Sequence, residues 1–169
     1  MSKAFTKDDA WEEPLIPPRA PLPDGAPNLV TPRGMQLLRA ELAELEAERQ
    51  GLAGQSSDEV ESRRRLAIAT GRLRDLSARI ASAEVVEASP QTHDVVRFGS
   101  SVVVRTESGD REGEERRLQI VGVDEADAAN GLVAFTAPIA RAIMGLEVGE
   151  TASLITPRGE ESLLIVSIH

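Results

Sequence analysis

Thr31–Ala83 reads TPRGMQLLRAELAELEAERQGLAGQSSDEVESRRRLAIATGRLRDLSARIASA, and it contains two amphipathic helical patterns with one interruption. Thr31 is placed to cap a helix, and Pro32 suits the first helical position because its missing donor would be unpaired there anyway. Leu38, Leu42 and Leu45 then recur at spacings of four and three, with Met35 one turn earlier, so they form one apolar stripe. Arg39, Glu41, Glu44, Glu46 and Glu48 lie mostly off it. The pattern predicts a helix to about Arg49 or Gln50, broken at GLAG and Gly54. A second helix is expected from Ser56, where Ser56, Ser57, Asp58 and Glu59 have the form of a capping box. Leu66, Leu73, Leu76, Ile80 and Ala83 make a near-heptad seam, with Ala69 at a small position between them. One stripe per helix and a short connection predict an antiparallel coiled-coil hairpin over residues 31–89. Such a hairpin has a thin core, so it is expected to lean on another module at its open end.

Beyond Pro90 the hydrophobic period changes from about 3.6 to 2. SVVVRT, RRLQIVGV, GLVAFT, TASLIT and ESLLIVSIH read as strands, separated by the turn-prone SGDREG, EADAANG and PRG. Pro138–Met144, PIARAIM, reads as a short helix stopped by Gly145. The fold class expected for residues 90–169 is therefore α+β, an antiparallel sheet wrapped around an apolar core with one short helix. Ahead of the hairpin, PLIPPRAPLPDGAP (14–27) is rich in proline, which removes backbone donors and biases against helix. Residues 1–30 are expected to form a flexible or extended tail, in which Trp11 is a lone aromatic available to a partner.

Composition narrows the function. The 169 residues carry 28 acidic and 19 basic side chains, a formal charge of -9, and the isoelectric point is near 4.8. That balance argues against broad attraction to nucleic acid or an anionic membrane. No cysteine is present, which excludes thiol nucleophiles, disulfides and thiolate metal sites, and two histidines are too few for a histidine cluster. No apolar run is long enough to span a bilayer, and MSKAFTKDDAWEEP lacks the apolar core of a signal peptide, so a cytoplasmic chain is expected.

No catalytic constellation emerges from spacing. There is no phosphate-cradling loop, and no histidine stands near a serine nucleophile; His93 falls in the linker between modules. Asp58 and Glu59, at the hairpin tip, are acids of the hard-oxygen type that can share a magnesium ion held by a partner, although acids in a first helical turn also need no metal. Arg63, Arg64, Arg65 and Arg72, with Arg74 and Arg79, give the second helix a basic character suited to an acidic or phosphate surface. The favoured alternative is pairing across the hairpin with Glu41, Glu44, Glu46 and Glu48.

TPRG at Thr31–Gly34, FGSSV at Phe98–Val102, IVGVDEAD at Ile120–Asp127, APIARAIMGLEVGE at Ala137–Glu150 and TPRGE at Thr156–Glu160 together resemble the bacterial Gre family of transcript-cleavage factors. The resemblance covers nearly everything after residue 30. It implies an N-terminal antiparallel coiled coil and a C-terminal domain similar to FK506-binding proteins. It also implies one partner, RNA polymerase, with the C-terminal domain at the rim of the secondary channel and the coiled coil threaded toward the active centre. Nucleic acid is then met only within the transcription complex, and the factor itself is expected to be a monomer without an intrinsic cofactor. In cleaving members, tip acids help retain the second Mg²⁺ while the polymerase performs hydrolysis. The matching motifs place Asp124, Glu125, Pro138, Ile139 and Arg141 around the polymerase-binding surface; Arg141, Asp124 and Glu125 are the better contact candidates because they can remain polar and exposed, while Phe98 and Ile139 are at least as readable as core and Pro138 as a helix start.

The sequence departs from that family at the tip. Where the family reads approximately GDxSEN, this chain reads GQSSDE at Gly54–Glu59, so neutral Gln55 replaces the first acid, Asp58 matches the second and Glu59 stands where asparagine is expected. The first helix also reads about three turns shorter than in the family, a loss of roughly 15 Å of reach. Metal chemistry requires oxygen contacts near about 2 Å, so charge and reach fail together. The expectation is a channel regulator with weak or no stimulation of cleavage. Its rivals are a cleavage factor that still uses Asp58 and Glu59, and a prolyl isomerase, for which Phe98 and Phe135 offer little aromatic wall.

Overall fold

The computed structural model describes residue 16 and residues 19–54, 60–87 and 94–169. Helix α1 (Pro32–Ala53) begins where the Thr31 hydroxyl accepts the Gly34 amide at 2.9 Å. Helix α2 (Val60–Ala81) returns alongside it. Each has 22 residues, a length of about 33 Å. Val30, Met35, Leu38, Leu45 and Leu76 form the buried seam, flanked by Leu42, Leu73, Ile80 and Ala83. The stripe is the expected one, but α1 runs past Gln50 through Gly51. Leu52 accounts for this: its burial in the continued turn offsets the helix penalty of one glycine, about 1 kcal/mol. The capping box at 56–59 and the tip residues Gln55, Asp58 and Glu59 lie outside the described residues, as do Trp11 and His93.

Two short strands close the open end. Strand β1 (Asn28–Val30) pairs in parallel with β2 (Ala83–Val85), in the register Asn28 to Ala83 and Val30 to Val85. Asn28 is buried and donates from Nδ2 to the Arg79 carbonyl at 2.7 Å and to Ser82 Oγ at 3.0 Å. Residues 28–30 are thus part of the hairpin's base rather than of a tail, because a second strand and a helix end satisfy their polar groups.

The C-terminal domain is a five-stranded sheet in the order β5-β4-β3-β7-β6. Its strands are β3 (Ser101–Ser108), β4 (Glu115–Val121), β5 (Leu132–Ala134), β6 (Thr151–Thr156) and β7 (Gly159–Ile168). The four strands from β4 to β6 are antiparallel as expected. Strand β5 is the exception, pairing with β4 in parallel. Two 3₁₀ turns, Val123–Glu125 and Ala128–Asn130, carry the chain back across the sheet end, so β5 starts from the same side as β4. Helix α3 (Pro138–Ile143) packs against β5 and β6. Alternate residues such as Val102, Val104, Leu163 and Ile165 enter one core with Ile120, Ala140 and Ile143.

Candidate functional site

A cluster of buried and half-buried polar side chains lies where the hairpin base meets the 3₁₀ turn Val123–Glu125. Two glycines allow the approach. A Cβ on Gly122 would stand 2.6 Å from the Leu29 carbonyl oxygen, and one on Gly34 would stand 2.8 Å from Glu125 Oε2. Within that space the Thr31 hydroxyl, while capping α1, donates to Glu125 Oε2, and Arg33 Nη1 lies 3.2 Å from Glu125 Oε1. The Glu125 side chain is only 3% exposed, so these are its compensation for lost water.

Asp124 faces the other way and is held by two arginines. Arg19 Nε donates to Oδ1 at 2.9 Å, and Arg79 Nε lies 3.5 Å from Oδ2. Arg19 also forks onto Glu41 of α1, with Nη1 to Oε1 at 3.0 Å and Nη2 to Oε2. The expectation that Asp124 and Glu125 remain exposed for a partner is therefore corrected. Their carboxylates are consumed inside the molecule by Thr31, Arg33, Arg19 and Arg79, which tie the two modules together.

The other predicted residues separate by exposure. On α3, Pro138 and Arg141 are exposed, one turn apart, while Ile139 is half-buried against the sheet core and Ala140 fully buried. Among the described residues Arg141 has no ion-pair partner. Phe98 and Phe135 meet edge to face at 5.7 Å, with Phe135 in the core, so they make a packed pair rather than the walls of an isomerase pocket.

Arg63, Arg64, Arg65 and Arg72 are all exposed on α2. They do not form one face. At 3.6 residues per turn Arg63 aligns with Arg74 to within about 20°, and Arg65 with Arg72 likewise, but the two pairs lie on opposite sides of the helix, about 180° apart. Nor does the expected pairing across the hairpin form: among the described residues no α2 arginine meets Glu41, Glu44, Glu46 or Glu48. Glu41 is taken by Arg19, and Arg79 turns to Asp124. Among the described residues no group of three or more histidine, aspartate or glutamate side chains is arranged to hold a metal ion.

Sequence reasoning missed Arg19. Its signal was present, since Arg19 is the one basic residue within PLIPPRAPLP, a stretch with no other charge.

Comparison with known proteins bears on the whole arrangement. A family profile described as "Transcription elongation factor, GreA/GreB, C-term" matches residues 91–169. A transcription elongation factor GreA from Azorhizobium caulinodans is 38% identical over 99 residues, 59% of this chain but only 61% of that protein's length. The GreA of Francisella philomiragia is 34% identical over 154 residues, covering 83% of this chain and 94% of that protein. The GreA of Acidiphilium cryptum is 32% identical over 153 residues, with coverages of 83% and 96%. Among solved structures, the GreA factor homolog 1 (Gfh1) of Thermus thermophilus is 22% identical with a TM-score of 0.39, over 85% of this chain and 99% of that one. A GreA/GreB structure from Nitrosomonas europaea is 23% identical with a TM-score of 0.39, over 83% and 97%.

Proposed function

The chain belongs to the GreA/GreB family of transcription elongation factors, and from that premise we propose that it is an RNA polymerase-binding regulator acting at the secondary channel with weak or no stimulation of transcript cleavage. The C-terminal domain, read as FKBP-like, docks at the channel rim. The exposed end of α3, Pro138 and Arg141 with the flank of Ile139, is the contact surface, because the neighbouring acids Asp124 and Glu125 are already engaged. Polymerase, not this chain, is the enzyme, and a cytoplasmic monomer follows from that partnership.

The observation that carries the regulatory reading is the hairpin itself. Its helices have 22 residues each, so its shaft is about 33 Å long, and its tip sequence opens with neutral Gln55. A neutral amide at that position is a weaker ligand than a carboxylate for a metal ion, whose oxygen ligands must stand within roughly 2 Å, so the tip is poorer in the oxygen ligands that cleavage needs.

Binding of fluorescently labelled protein to purified RNA polymerase tests the docking half. Unlabelled GreA-type factor is expected to displace it, and Arg141→Glu is expected to weaken binding at least about tenfold, the effect of removing a central arginine anchor and reversing its charge. Full affinity in Arg141→Glu would remove α3 from the contact surface.

A further inference from the structure

The segment ahead of the hairpin makes a set of contacts that the proposed function does not use. Ile16 rests against Gly71 of α2, where a Cβ would overlap Ile16 Cδ1. The Ala20 carbonyl accepts from Arg79 Nη2. Gly71 and Arg79 are eight residues apart, so from Ile16 to Ala20 the chain advances about 12 Å along α2 toward the junction. Beside that path Arg19 lines a concavity of about 360 Å³ with Glu41, Ile68, Arg72 and Asp75. Its guanidinium touches both α1, through Glu41, and the C-terminal domain, through Asp124.

The position of those two acids gives the contact leverage. Among the described residues the other side-chain hydrogen bonds and ion pairs from α1 and its cap to the C-terminal domain gather at its first turn, at Thr31 and Arg33. Attachment at one end leaves a helix free to pivot. Glu41 lies ten residues beyond Thr31, so Arg19 adds a second attachment about 15 Å further along the shaft. A planar guanidinium fork resists rotation better than a point charge, and its 23% exposure leaves it only partly hydrated. Without Arg19, Glu41 has no ion-pair partner among the described residues, and Asp124 keeps only Arg79.

We infer that the N-terminal segment is a clasp in cis and that Arg19 is a positioning residue, fixing the direction in which the hairpin leaves the C-terminal domain. Its consequence, the aim of the hairpin within the polymerase channel, rests on the function proposed above.

The chain has no cysteine, so spin labels on Ala47→Cys in α1 and Glu112→Cys in the turn after β3 give one defined distance in the free, full-length protein. The unaltered clasp gives a single narrow distance peak. Arg19→Gln is expected to lose that peak, and Arg19→Lys, which keeps the charge but not the fork, to recover part of it. Gly71→Leu provides an independent route: leucine is a better helix former than glycine, but its side chain takes the place of Ile16. It is expected to broaden the distribution with the helical circular dichroism retained. An unchanged narrow peak in both Arg19→Gln and Gly71→Leu overturns the clasp. Because polymerase is absent from this measurement, failure to bind polymerase would sink the proposed function and leave the clasp standing. With polymerase, Arg19→Gln is expected to keep its affinity and lose its effect on elongation at saturation; lost affinity with an undiminished effect at saturation would contradict a positioning role.

Discussion

The hairpin and the C-terminal domain are stabilised by different means. The domain closes a sheet and a helix over thirteen buried apolar residues, from Val96 to Ile168. Among the described residues the contiguous buried cluster of the hairpin has five, from Val30 to Leu76, arranged as a single seam. What the hairpin lacks in core it gains at its base, where β1 and β2, two close-approach glycines and the ion pairs of Asp124 and Glu125 join it to the domain. The difference teaches that packing holds the C-terminal domain together, whereas polar contacts hold the hairpin to it. Substitutions in the two places should therefore break different things.

The largest effect is expected in the seam. Leu76 is fully buried, and Leu76→Ala should cost the hairpin about 3 kcal/mol through lost transfer energy and the cavity left behind. Hydrogen exchange should then quicken along α1 and α2 while β3 and β7 keep their protection. Equal loss of protection in both modules would mean that they unfold as one unit.

Thr31→Ala comes next. It removes the cap of α1, worth about 1 kcal/mol, and also a hydrogen bond to a buried carboxylate, for a combined loss of about 2 kcal/mol. Urea denaturation should register that loss, and Thr31→Ser, which keeps the hydroxyl, should restore most of it.

The smallest of the three is expected for Gly122→Ala. The backbone there has φ -68°, open to any residue, so the penalty is steric: a Cβ against the Leu29 carbonyl, at about 1 to 2 kcal/mol. Exchange of the Val86 amide, which donates to the Val30 carbonyl, reports whether β1 is pushed out of place. An unperturbed Val86 would show that the junction has slack that the two glycines do not require.

Much of this division is legible in the sequence, for a physical reason. Leu38, Leu42, Leu45, Leu73 and Leu76 repeat at helical spacing, and strands such as SVVVRT alternate, because both patterns follow directly from which side chains leave water. What escapes is whatever depends on distant partners. Strands β1 and β2 have three residues each, too few for a period to register. The direction of β5 depends on the path of two 3₁₀ turns. Asp124 and Glu125 attract notice as acids in a motif, but the arginines that neutralise Asp124 come from positions 19 and 79, and the threonine and arginine that hold Glu125 come from 31 and 33. Burial of a charge is a property of its partners, and no local spacing announces it.

The most direct test of a docked but non-cleaving hairpin is RNA cleavage in purified, backtracked polymerase complexes, with occupancy by this protein measured in the same samples. At full occupancy the cleavage rate is expected to stay at or little above that of polymerase alone. Strongly accelerated cleavage at saturation, lost in the double variant Asp58→Ala, Glu59→Ala, would contradict that expectation and show that the tip acids reach the catalytic metal.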